Sequence, residues 1–182
     1  DVVAVQLNLI GSHDAPRALT VLGGDVAALR IATLLQAVLP GAPCVYYGDE
    51  VGLRGGNDPA NRAAFPWDEG RWDTNLRAFV RAVLRLRGTE PALRHGSTTA
   101  IGTAGPALAL ERRLGWDRLV AAVNPGGGEV SLDITLPDAG DGSLTAVPLD
   151  AGEAPASVPV SGGRATLTVP GRTACVLRFG TA

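Results

Sequence analysis

The sequence has 182 residues, is 46% hydrophobic and 19% charged, and carries a formal net charge of −2. It is long enough to bury a core in one domain or two small ones, and its balance of charge excludes a strongly basic surface for nucleic acid or an anionic membrane. No apolar run approaches the roughly 20 residues that cross a bilayer and no signal-peptide pattern opens the chain, so neither a membrane nor nucleic acid is an expected partner, and the default location is cytoplasmic.

All 16 basic residues are Arg, a bias that reflects composition rather than a binding surface. Cys44 and Cys175 lie far apart in apolar runs, where a thiol behaves as a small hydrophobe, and no disulfide framework is expected. The first residues, Asp1 to Gln6, have no start Met and no capping signal, so the chain is expected to be cut from something longer.

Leu7, Leu9 and Ile10 form a short apolar run that meets Gly11 and gives way to Ser12, His13 and Asp14. A buried strand delivers polar groups to a cleft at its carboxyl end in this way, and that edge is where chemistry sits in barrels and open α/β sheets. The plainer alternative is that Asp14 caps a turn and His13 merely bonds to it. Gly23-Gly24-Asp25 follows, with Asp25 a suitable N-cap for a helix over 26–39 whose Arg30, Thr33 and Gln36 make one narrow polar stripe. The glycine pair suits a turn better than a phosphate cradle, because no Gly-x-x-x-x-Gly-Lys pattern is present. Pro40-Gly41 stops the helix, and Ala42 to Tyr47 reads as a second buried strand ending at Gly48-Asp49-Glu50. Strand, helix and strand make a parallel unit.

A long loop over 51–74, rich in Gly, Asn, Asp and Pro, holds Phe65, Trp67 and Trp72, and those aromatics argue for an ordered, functional loop. At least one of Trp67 and Trp72 is expected to pack beneath the loop. Helical periodicity returns over 75–87, with Arg77, Arg81 and Arg85 as a solvated stripe and Gly88 as the terminator. Beyond Pro91 the texture changes to short runs between turn signals: 107–114, 119–124, 130–136, 144–149, 165–169 and 174–179. Alternation in the third run, Val130, Leu132, Ile134 and Leu136 against Ser131, Asp133 and Thr135, predicts an antiparallel β-sandwich of roughly six to eight strands. Gly126-Gly127-Gly128 and the 137–142 segment are read as hairpin connections. His95 stands alone near the junction, a poor metal ligand.

Three stretches now carry a family resemblance. Asn8-Leu9-Ile10-Gly11-Ser12-His13-Asp14 with Pro16-Arg17 resembles the fourth conserved region of the α-amylase superfamily, glycoside hydrolase family 13. Tyr46-Tyr47-Gly48-Asp49-Glu50-Val51-Gly52-Leu53 is similar to the segment closing that family's eighth barrel strand. Gly55-Gly56-Asn57-Asp58-Pro59-Ala60-Asn61-Arg62, running on to Phe65-Pro66-Trp67-Asp68, resembles the neopullulanase, cyclomaltodextrinase and maltogenic amylase branch, in which Ser12 is also usual.

The resemblance implies an α/β plus all-β fold: the last strands and helices of a (β/α)8 TIM barrel in residues 1–90, then a C-terminal antiparallel β-sandwich in 91–182. It implies an α-glucan substrate, no cofactor and no metal. The nucleophilic Asp and the acid/base Glu of the family, which retaining hydrolysis needs roughly 5 Å apart, would lie in a missing N-terminal part of the barrel. Asp14 would then stabilise the transition state by bonding sugar hydroxyls, with His13 donating beside it. Asp58 and Arg62 would hold the next glucose, with Arg17 counted among the substrate contacts, and Asp49 and Glu50 would order their loop. The alternative is a non-catalytic carbohydrate-binding or scaffold remnant of the same fold. An isolated quarter-barrel is expected to associate or dissolve poorly when made alone.

Overall fold

The computed structural model describes residues 2–149 and 157–181. A 3-10 turn, Val2–Val5, leads into β1 (Leu7–Leu9), a short helix α1 (Ala18–Val21), the longer α2 (Val26–Val38) and β2 (Ala42–Cys44). β1 and β2 pair in parallel, Leu7 beside Ala42 and Leu9 beside Cys44, which is the expected strand, helix, strand unit. Both strands are shorter than the apolar runs suggest. The Asp25 carboxylate accepts from the Ala28 amide at 3.0 Å, capping α2 as expected.

β1 is not buried on both faces. Asn8 points toward α2, where its Nδ2 donates to the carbonyls of Gln36 at 3.1 Å and Pro40 at 2.9 Å. Gln36 returns the bond to the Asn8 carbonyl at 2.7 Å and also reaches the Cys44 carbonyl at 2.8 Å. The opposite face, Leu7 and Leu9, is more than half exposed, because among the described residues β1 has a strand neighbour on one side only.

α3 spans Thr74–Thr89, capped by Asp73, and passes straight through Gly88. The helix ends instead at Glu90, the residue before Pro91, where the backbone turns extended. Arg77, Arg81 and Arg85 are exposed, as the stripe predicts. A further short helix, α4 (Pro91–His95), precedes eight strands: β3 (Ser97–Ala104), β4 (Ala107–Leu114), β5 (Asp117–Asn124), β6 (Val130–Thr135), β7 (Gly142–Ala146), β8 (Ser157–Val160), β9 (Arg164–Val169) and β10 (Thr173–Thr181). Six form one antiparallel sheet in the order β3-β4-β5-β10-β7-β8, and β6 pairs with β9 in a second. Gly126-Gly127-Gly128 therefore joins β5 to β6 across two sheets, and the 137–142 segment carries the chain back, so neither is a hairpin.

The central strands show why the helices belong to this core. Leu119, Ala121, Val123, Ala174 and Val176 face Ile31, Leu34, Phe79, Val83 and Leu93 of α2, α3 and α4. Their alternates Val120, Ala122, Cys175 and Leu177 face Leu132, Ile134, Leu167 and Val169 of the smaller sheet. Burial pushes the Cys175 thiol up to about 11, leaving it an inert apolar filler. Two buried arginines bind the end of α2. Arg87 donates to the carbonyls of Ala37 at 2.8 Å and Leu39 at 2.9 Å and to that of Gly41, while Arg112 of β4 reaches those of Val38, Gly96 (2.9 Å) and Ser97 (3.3 Å). Helix termini leave carbonyls unpaired and a partial negative charge, so guanidinium groups are well matched there. No helix among the described residues is long and apolar enough to cross a membrane.

Candidate active site

The site is the turn that follows β1. Gly11 is buried, and a Cβ on it would run into the Asp49 carboxylate, so any larger residue here has to displace the side chain packed beneath the turn. The Ser12 hydroxyl accepts from the Asp14 amide at 3.2 Å, and His13 Nε2 lies 3.2 Å from Asp14 Oδ1. Both side chains are open to solvent, His13 at 64% and Asp14 at 75%, so they are free to meet a ligand.

The loop after β2 folds back over this turn. Arg62 Nε lies 3.3 Å from Asp58 Oδ1 and donates to the His13 carbonyl at 3.1 Å. Asp58 and Arg62 are thereby brought beside His13, with exposed carboxylate and guanidinium groups available to hydroxyls. Asn61, between them in sequence, is 2% exposed and donates to the carbonyls of His13 at 2.8 Å and Ala15 at 3.2 Å. Its buried role was missed in sequence; its place inside the Asp58 to Arg62 motif was the available signal. Trp72 packs against Phe65, donates to the Pro66 carbonyl and lies beneath Arg77, whereas Trp67 is 83% exposed. The expected division between a packed and an open tryptophan is thus Trp72 and Trp67.

Arg17 requires a correction. It is fully buried, and its guanidinium lies over the rings of Tyr46 at 4.3 Å and Tyr47 at 4.5 Å, bonds the Tyr47 carbonyl and stands 3.4 Å from Asp49 Oδ1. A group so enclosed is not presented to solvent as His13 and Asp14 are, and it packs beneath the turn that carries them. Glu50 accepts from the Gly48 amide at 2.7 Å, in keeping with a role in ordering the loop.

Asp49 is buried at the same floor. Desolvation pushes its carboxyl up to about 6, opposed by the Arg17 charge and assisted by that of Glu50. Because the folded state holds this proton more tightly than the unfolded chain does, the group's contribution to stability falls as pH rises through the window between about 4 and about 6, then levels. The unfolding free energy of the wild type relative to Asp49→Asn is therefore expected to fall by roughly 2–3 kcal/mol from pH 4 to 6.5, read as a shrinking difference in melting temperature. A difference that is flat or grows with pH would contradict this.

A strand-borne His-Asp turn faced by an Asp-Arg pair presents hydrogen-bond acceptors and a fork of donors of the kind that hydroxyl groups bond. Residues 2–96 match the α-amylase catalytic domain, and the chain belongs to the α-amylase family. A cyclomaltodextrinase from a Bacillus species is 48% identical over 93 residues, covering 51% of this chain and 17% of that enzyme. In three dimensions the native debranching enzyme of Nostoc punctiforme matches with a TM-score of 0.82 and 35% identity, over 95% of this chain and 35% of that one. A solved cyclomaltodextrinase matches with a TM-score of 0.82 and 31% identity, over 96% and 30% respectively. The chain thus spans less than a fifth of that curated relative and about a third of the solved enzymes.

Proposed function

We propose that this chain is the carboxyl-terminal part of a retaining α-glucan hydrolase, acting on α-glucosidic bonds of maltodextrins, cyclodextrins or pullulan. Residues 1–90 are the closing strands and helices of its (β/α)8 barrel and 91–182 its β-sandwich. The observation that carries this reading is the His13-Asp14 turn, delivered by the parallel pair β1/β2 and faced by Asp58 and Arg62. The open Leu7 and Leu9 face fits further barrel elements packing against β1.

In this reading the nucleophile and the acid/base reside in the rest of the whole enzyme. Asp14 accepts hydrogen bonds from two adjacent hydroxyls of the glucose at the cleavage point, and these tighten as the ring flattens toward an oxocarbenium ion. His13 donates to a neighbouring hydroxyl. Asp58 accepts from, and Arg62 donates to, the next glucose, converting binding at a distance into correct placement of the scissile bond. The purified 182-residue chain is expected to release no reducing sugar from maltodextrin or cyclodextrin. Turnover by this chain alone would overturn the division of catalytic groups.

A further inference from the structure

We propose that Asn61 is a positioning residue of this site, its carboxamide fixing the backbone on both sides of Asp14. The inference rests on the function proposed above. One nitrogen, Nδ2, spends both hydrogens on the carbonyls of His13 and Ala15, at 2.8 and 3.2 Å, the two residues that bracket the carboxylate. Rotation of the turn about Asp14 breaks both bonds. The Asn61 carboxamide oxygen has no donor among the described residues, so donation is what this buried amide contributes.

Asp14 needs such a hold. Its side chain is three-quarters exposed and faces the His13 imidazole, while its backbone amide donates to the Ser12 hydroxyl, both partners belonging to the same small turn. A carboxylate that must meet two sugar hydroxyls in one geometry gains its order from the backbone beneath it, and a misplacement of about 1 Å costs roughly a hundredfold in rate. Asn61 is itself well anchored. The turn around it is closed by the Arg62 amide on the Pro59 carbonyl at 3.0 Å, and Tyr46 Oη donates to the Asn61 carbonyl at 3.3 Å. A Cβ on Gly55 would lie 2.2 Å from the Ala60 carbonyl oxygen, so the loop doubles back on itself without room to relax. The loop then ties to the segment after Asp14, the Arg17 amide donating to the Gly55 carbonyl and the Gly55 amide to the Thr20 hydroxyl, each at 2.9 Å.

The test is steady-state kinetics of the whole enzyme on maltodextrin between pH 5 and 7.5, with melting temperatures measured alongside. Asn61→Ala is expected to lower kcat by about 10- to 100-fold with KM within about threefold, at every pH. Asn61→Asp keeps the shape but presents acceptors to two carbonyls at neutral pH. Protonation returns one O–H donor, so its kcat relative to wild type is expected to recover as pH falls, while the ratio for Asn61→Ala stays level. Wild-type kcat in Asn61→Ala, loss of activity only in proportion to lost folded protein, or a pH-independent ratio for Asn61→Asp would each overturn the proposal. Asp14→Asn serves as the reference: if it retains wild-type turnover the proposed function itself fails, and if it is inactive while Asn61→Ala is fully active, only the role of Asn61 fails.

Discussion

Asp14→Asn in the whole enzyme is expected to lower kcat by several hundredfold while leaving KM and melting temperature close to wild type. The substitution keeps the volume of an exposed side chain whose polar contacts are confined to its own turn, so the fold loses little. Under the proposed function, catalysis would lose an anion that accepts from two hydroxyls as positive charge builds on the sugar, and preorganised groups of this kind are each worth about 3–4 kcal/mol. The expected signature is a fall in kcat and in kcat/KM together, which marks an interaction made in the transition state. A variant with near-wild-type kcat would remove Asp14 from the chemistry.

Arg112→Leu carries the largest expected cost in stability. The guanidinium is buried at the junction of α2, α4 and β4, and three carbonyls accept from it. Burial, with the Arg87 charge adding to it, lowers its pKa to about 10, so it stays protonated at neutral pH and its bonds are charge-assisted. Leucine fills part of the space but leaves the buried Val38 carbonyl and the part-buried carbonyls of Gly96 and Ser97 without this donor, a loss of about 3–5 kcal/mol, because only the buried group carries the full penalty of about 1–3 kcal/mol. The measurement is denaturant unfolding, read as a shift in midpoint at constant slope. A change below about 1 kcal/mol would show that these contacts are not what joins α2 to the sheet.

Elements with a local cause were legible in the sequence. Asp25 sits ahead of an apolar helical run, and its carboxylate caps that helix; Val130 to Leu136 alternates, and β6 buries one face. Gly11, His13 and Asp14 were legible as a strand-end cluster, and Asp58 with Arg62 as a spaced pair. Edge strands were harder. β3 is built from small and hydroxylated residues with an irregular register between Ala100 and Gly102, and β8 carries Pro159, tolerated at the sheet edge because no ladder bond is needed on its outer side. β5, by contrast, held a signal that alternation hides. Leu119-Val120-Ala121-Ala122-Val123 is unbroken and apolar, and the strand is covered by helices on one face and by the smaller sheet on the other.

The arginines were least legible, because one side chain serves opposite ends according to tertiary position. Arg85 is solvated and Arg87 buried, two residues apart on α3. Arg87 follows Val80 and Val83 at helical spacing, on the apolar face, and that placement was the available sign. Arg17 stands in a motif associated with substrate and yet is buried, its guanidinium stacked over two tyrosine rings. Motif membership identified the neighbourhood of the site, and only packing separated the exposed groups from those buried beneath them.

The central claim is that Asp14 holds the flattened sugar of the transition state more tightly than the relaxed sugar of the ground state. Calorimetry on the whole enzyme, comparing wild type with Asp14→Asn, tests it with two ligands: a glucose mimic with a flattened ring, and maltose. The expected result is a loss of at least about a hundredfold in affinity for the mimic with little change for maltose. Equal weakening of both would contradict it.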